Sequence, residues 1–502
     1  MNKATNTIQR GLQAASVVAA ALALSSCEDE AAAGASASPA TPSKVATSEG
    51  MNMVEGDGRS KHFDAVASHL HVGGSVFAYM DVDGDVEKLA GVIQNFLKGI
   101  PADQMPPHIA KLDLAKLLDD MGLGGIEAMG MSSFKNGDLY HNRAYMHVPD
   151  GRKGFLKMFG GDAAPFVAGT LAPVDSDLVM EQTINLAAAY EVVSQLIMQV
   201  GGDEAYAEFR DQMSEVNPQL GLSMANLLGK LDTRLTFAAR VHPDKPLEIP
   251  DAPMPIPSFD FLVALDDVGW LYEKVTGNMK AEMPPEQVEQ LFVKGDGFEK
   301  MSLPPLPSPE MAVIEPVVHH DIAGKRVYIA SSQAYLDECL SGKTKLNDSP
   351  DFKAASAGLP TEGNGLSYVS ADFMKAARKL YEDAIKGDAG GMGIGTQEIA
   401  IMSLVSVFMP KADSGQAKVS VNEKDGIFVS SNSTASMKEG VIMSSVGMMA
   451  VMGTTTMRSS SMPMPEARAF DIEQGDDARA FELPTPDQIA PAPVQIREPS
   501  GE

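Results

Sequence analysis

Four stretches of the chain share one pattern: an apolar run of strand length, a polar junction, then an amphipathic run. SVFAYMDVDGDVEKLAGVIQNFLKGI from Ser75 and SFDFLVALDDVGWLYEKVTGNM from Ser258 show it most clearly. DLVMEQTINLAAAYEVVSQLI from Asp177 and GLSYVSADFMKAARKLYEDAI from Gly365 repeat it more weakly. In the first stretch Val86, Leu89, Val92, Ile93 and Phe96 recur at helical spacing, which predicts a stripe turned to the core. The junctions hold Asp81, Asn185, Asp266 and Asp372. A side-chain oxygen at such a place accepts from the free N–H groups of the first helical turn, and a carboxylate also suits the helix dipole. Each of the four is therefore expected to be an N-cap.

Hairpin signals lie between these units. Residues 126–133 and 139–148 flank Asn136-Gly137, 311–319 and 326–331 flank Ala323-Gly324, and 417–422 and 427–431 flank Asp425-Gly426. Tight turns imply antiparallel pairing, with one sheet face left for helices. The expected fold is α+β: two related lobes of antiparallel sheet packed with amphipathic helices, over 62–245 and 258–436. Residues 246–257, dense in proline and without periodicity, read as the linker between them.

The ends differ in kind. Lys3 and Arg10 precede an uncharged Ala/Val/Leu run of about 14 residues, short of the roughly 20 that a spanning helix needs. Residues 1–26 thus have the form of a secretory signal. Leu24-Ser25-Ser26-Cys27 at its end resembles the bacterial lipobox. That resemblance implies lipidation of the Cys27 thiol and cleavage before it, with several acyl chains making a stable membrane anchor. Glu28, where inner-membrane retention would call for Asp, points to the periplasmic face of the outer membrane in a bacterial cell envelope. Residues 27–61, rich in Ala, Ser and Pro, read as a flexible tether, and 458–502 as a disordered acidic tail. Between body and tail, 437–457 reads as a Met-rich apolar helix that docks on the second lobe, touches membrane or binds a partner.

Composition narrows the partners. The formal charge is −27, and removal of Lys3 and Arg10 makes the mature chain more negative still, which disfavours nucleic acid. Cys339 is the single cysteine beyond Cys27, so no disulfide can form within the mature body. It reads as a small buried hydrophobe on a short helix.

RVYIASSQAYLDECLSGKTKLNDSPDFKAASAGLPTEGNGLSYVSADF, residues 326–373, resembles exported bacterial proteins of an uncharacterised "domain of unknown function" family. The shared features are a strand ending in small residues, a helix, Leu-x-x-Ser-Pro-x-Phe, a Leu-Pro, and a strand closing on Asp. HNRAYMHVPDGRKGFLKMFGG, residues 141–161, is similar to a stretch of uncharacterised envelope proteins of aquatic bacteria. The resemblance implies an exported, duplicated α+β body and transfers no chemistry.

Motifs of chemistry are sparse. DVDGDVEKLAGV, 81–92, spaces its aspartates as a calcium loop does, but Gly84 is misplaced and Val92 stands where the bidentate Glu belongs. His69 and His71, with His62 and Asp64 nearby, are weak candidates for zinc, lacking a motif that supplies three placed donors. His319 and His320 are adjacent on a strand and should face opposite ways. SGKTK at 341–345 and GGMGIGTQE at 390–398 carry glycines at the wrong spacing for phosphate loops. No catalytic residue, metal or cofactor is assigned. The expectation is a non-enzymatic envelope lipoprotein acting as a binding or structural module, partnered by membrane through its anchor and by an envelope protein or apolar ligand. The alternatives are a carrier or chaperone for an apolar ligand such as lipid, and a hydrolase with an unrecognised site.

Overall fold

The computed structural model describes residues 53–438, apart from 55, 102–106, 111, 218–220, 248–255, 304–313 and 387–413. Cys27 with Leu24, Ser25 and Ser26, most of the expected tether, nearly all of the Met-rich segment and the tail lie outside the described residues. The 390–398 glycine run does too.

Thirteen strands form one antiparallel sheet. In chain order they are β1 (Val76–Asp81), β2 (Ala128–Asn136), β3 (Leu139–His147), β4 (Leu178–Asn185), β5 (Asp232–Leu247), β6 (Ile256–Leu265) and β7 (Phe292–Gly295). Then come β8 (Phe298–Ser302), β9 (Val317–Asp321), β10 (Arg326–Ala330), β11 (Gly365–Val369), β12 (Gln416–Glu423) and β13 (Gly426–Ser433). The helices that matter below are α1 (Phe63–Ala67), α2 (Asp85–Lys98), α3 (Leu114–Asp120), α4 (Leu186–Ser214), α5 (Gly269–Glu282), α6 (Gln333–Ser341) and α7 (Ala371–Lys386). All four strand–helix units read from the sequence are present, and so are the three hairpins.

The α+β class holds, but the two spans do not build separate sheets. Across the sheet the order is β1-β2-β3-β13-β12-β11-β4-β5-β6-β10-β9-β8-β7. The order is nearly symmetric about the β11–β4 pair, where Ser367 faces Met180. The path β2-β3-β4-α4-β5-β6 is matched by β9-β10-β11-α7-β12-β13. Each copy lays its last strand on the other's hairpin: β6 pairs with β10, and β13 with β3. A hairpin alone would leave a row of unpaired N–H and C=O groups on its open edge, and interleaving covers both edges. The two ends of the expected linker belong to the sheet, for Pro246 pairs with Pro257 and Leu247 with Ile256 between β5 and β6.

The buried core follows the same plan. Val179, Ala238, Leu366, Tyr368, Ala417 and Val419 line the centre, covered by Leu346, Phe352 and Leu359. Leu262, Ala264, Tyr328 and Ala330 pack under Tyr335, Leu336 and Cys339 of α6. Cys339 is buried, as read from the sequence, and burial pushes its thiol up to about 12. At the centre Glu181, 1% exposed, accepts from the backbone N–H groups of Val167 and Ala168 at 2.8 and 2.7 Å and from Arg234 at 2.8 Å. The pair fastens the connection that crosses the sheet, since Arg234 also donates to the Pro165 carbonyl.

Of the four expected caps, one caps as expected. Asn185 Oδ1 accepts from Ala188 N at 2.9 Å. Asp81 instead ends β1, and α2 starts later, behind Gly84 at φ 72°. Asp266 pairs with Arg326 across the sheet end, while Val268 stands at the start of α5. Asp372 sits inside the first turn of α7, and Ser370 takes the capping role by accepting from Phe373 N at 3.0 Å. In these three the strand or its partner claims the carboxylate, or a nearer hydroxyl reaches the turn first.

Candidate functional site

One end of the sheet collects polar groups from segments far apart in the chain. His62 precedes α1, whose Val66 lies with Leu70 against Ala128 and Tyr145. Glu127 precedes β2, and His147 ends β3. Backbone bonds lock the three strand ends together: Val82 N donates to Glu127 O at 2.9 Å, and Glu127 N to His147 O at 3.1 Å. His62 and His147 are each 7% exposed, and their rings lie 5.3 Å apart. A ring nitrogen of each and a carboxylate oxygen of Glu127 all fall within 4.8 Å of one another. His62 Nε2 is 3.1 Å from Glu127 Oε2 and 3.6 Å from Asp83 Oδ2. Nε2 of His62 and Nδ1 of His147 are nonetheless buried without a hydrogen-bond partner. Buried polar atoms are rarely left so, and each such atom calls for an explanation.

The loop after β1 closes the site. Asp83 pairs with Lys61 at 2.8 Å, and this bond holds its carboxyl below the usual carboxylate range. Asp81 is held low by the Ser60 hydroxyl, which also meets Tyr79. The aspartates of the calcium-like loop are thus spent on neighbours, and their carboxylates do not converge on one another as a calcium shell would require.

His69 and His71 are not brought together. Both lie in the turns after α1, not on a strand. His69 stacks on Tyr145 at 3.7 Å and meets Glu423 at 3.0 Å. Burial works to lower its pKa, but bonds to Glu423 and the Ala65 carbonyl outweigh it and raise it overall. His71 turns to Phe134 and His141, and burial, with Arg143 near, pushes it down to about 4. His319 and His320 do face apart: the first stacks on Phe298, and the second meets the Tyr272 ring at a tilt. The sequence reading had noted His62 but missed Glu127 and His147. A His before a helix, a Glu before a hairpin and a His at that hairpin's end is their only trace, and it becomes a signal only once the register is known.

α2 starts from this same loop. Its face is not buried as the periodicity predicts. Leu89, Val92 and Phe96 are 57, 67 and 72% exposed, and Ile93 is exposed too; Ala90 is its buried residue. The helix packs on α3, where Gln94 accepts from Leu114 N at 3.1 Å, and turns its apolar stripe outward.

A hollow of about 520 Å³ lies between β5 and α7, lined by Asp175, Asp177, Asp372, Arg240 and His242 together with Val241, Pro243, Phe373 and Ala376. Its one arginine is occupied, bonded to Asp175, Asp260 and Glu338. Five of the nine lining residues are ionisable, so the lining is mixed and lacks the predominantly apolar surface of a lipid pocket.

No family model matches the chain, and no curated protein or solved structure is similar to it. No described helix is long and apolar enough to cross a membrane.

Proposed function

We propose that the chain is a lipid-anchored envelope protein that acts without chemistry of its own, as a binding module whose contact surface is the outer face of α2. The observation that supports this most is the exposed stripe of Leu89, Val92, Ile93 and Phe96. These stand at i, i+3, i+4 and i+7, the spacing by which a helix lays anchors into a groove of a partner protein. An apolar groove on another envelope protein is the occupant this spacing fits. A second copy is disfavoured by the charge of −27 on each chain, which also repels anionic lipid. The five ionisable groups that line the hollow between β5 and α7 weaken the lipid-carrier reading, and its engaged arginine weakens the hydrolase reading.

The test places a photo-crosslinking residue at Phe96 in the full chain in its own host, with Lys294, also well exposed but on β7, as control. The reading expects one discrete protein adduct from Phe96, absent from Lys294 and lost when Val92→Glu is added. An adduct to lipid, to a second copy or within the chain would overturn it, as would none. The anchor is tested separately: Cys27→Ala should block processing and release the protein from the detergent phase.

A further inference from the structure

We propose that His62, Glu127 and His147 bind a divalent transition-metal ion, with zinc the best fit. This goes beyond the binding-module reading and does not depend on it. The donor chemistry comes first. Two imidazoles and a carboxylate are ligands for zinc and its neighbours in the first transition row; calcium and magnesium prefer oxygen alone. Geometry comes second. With zinc–nitrogen and zinc–oxygen bonds near 2.0–2.1 Å, tetrahedral ligand atoms lie roughly 3.3 Å apart. His62 Nε2 and Glu127 Oε2 are 3.1 Å apart, and the whole set lies within 4.8 Å, so a small side-chain rotation closes it. The third argument is the unmet bonding. His62 Nε2 and His147 Nδ1 are buried without a hydrogen bond, and in the tautomers that place a lone pair on each an ion would satisfy both. Asp83, 3.6 Å from His62 Nε2, is in reach as a fourth ligand if it lets go of Lys61.

Such an ion would cross-link three places: the start of α1, the start of β2 and the end of β3. Through Asp83 it would also fix the loop from which α2 departs. The site is thus structural in kind, made of side chains whose backbones the sheet already aligns.

The test is equilibrium dialysis of Zn²⁺ against the full chain in detergent, after stripping with a chelator. The expected result is about one tightly held equivalent, lost in His147→Ala and in the isosteric Glu127→Gln, and kept in His71→Ala. Circular dichroism checks that each variant is folded. X-ray absorption of the zinc-loaded wild type gives a second readout that needs no variant, and two imidazoles in the zinc shell are expected. Absence of saturable binding, binding unchanged in folded Glu127→Gln, or a shell without imidazole would each overturn the proposal. Binding of Ca²⁺ in place of Zn²⁺ would do the same.

Discussion

α2 and α5 follow β1 and β6, the strands of the two clearest stretches of the sequence pattern, yet they meet opposite fates. α5 is the less amphipathic of the two, and it is packed: Gly269, Tyr272 and Thr276 are buried, with Tyr272 set among Phe292, Met301, Val318 and Val327. α2 is strongly amphipathic and keeps its apolar stripe in solvent. The difference lies in what the sheet offers each helix. β6 is an inner strand with β10 beside it and β9 next in the sheet, and the helix after it lies across β9 and β10. β1 is the edge strand, and among the described residues the helix after it leans chiefly on α3. A hydrophobic face therefore reports a contact to be made, and does not say whether the partner is in the same chain.

The contrast can be broken most sharply by truncation. Tyr272→Ala should cost about 3–5 kcal/mol, the range for emptying a large buried aromatic site, while Phe96→Ala should stay within about 0.5 kcal/mol. Urea unfolding of the two variants measures both. Glycines sharpen it next. A Cβ on Gly269 would meet His320 Nε2 at 2.6 Å, whereas one on Gly91 would meet nothing within 4 Å. Gly269→Ala should destabilise by about 1–3 kcal/mol through overpacking. Gly91→Ala should stabilise by up to about 1 kcal/mol, because Gly is the poorer helix former.

The smallest effect concerns pH at the end of the sheet that carries α2. His69 has its pKa raised, so its bond to Glu423 contributes fully below the ordinary value near 6.5 and fades as pH rises through the folded value. His71 is pushed down to about 4, so it favours the fold above pH 6.5 and that support is lost as pH falls toward 4. His71→Phe should flatten the fall in melting temperature between pH 6.5 and 4, whereas His69→Gln should lower the melting temperature below pH 6.5 and narrow that gap as pH rises above it. Identical slopes in both variants would mean neither imidazole governs this end.

Much of the architecture was legible because it is local. Asn136-Gly137 and the alternating Val419, Val421, Ile427 and Val429 announce their hairpins within a dozen residues, and Asn185 caps the helix it precedes. The interleaving of the two copies was not legible, because nothing in β13 names β3 as its neighbour; edge pairing is settled by which strands are left open. For the same reason Pro246 and Pro257 read as a linker though they pair across a hairpin. Asp81, Asp266 and Asp372 looked like caps because a junction acid is chemically able to cap, but Ser60, Arg326 and Ser370 compete in space. The His62–Glu127–His147 cluster spans 85 positions of chain and has no spacing to read.

The account stands on the outward face of α2 having no partner among the described residues of its own chain. Thermal unfolding of the full chain carrying Leu89→Gln, Val92→Gln, Ile93→Gln and Phe96→Gln together tests this directly. Four solvent-facing changes should leave the melting temperature within a few degrees, each worth no more than about 0.5 kcal/mol. If the face were covered within the molecule, each lost side chain would remove about 1.5–3 kcal/mol of burial, and the variant would melt far lower or not fold at all.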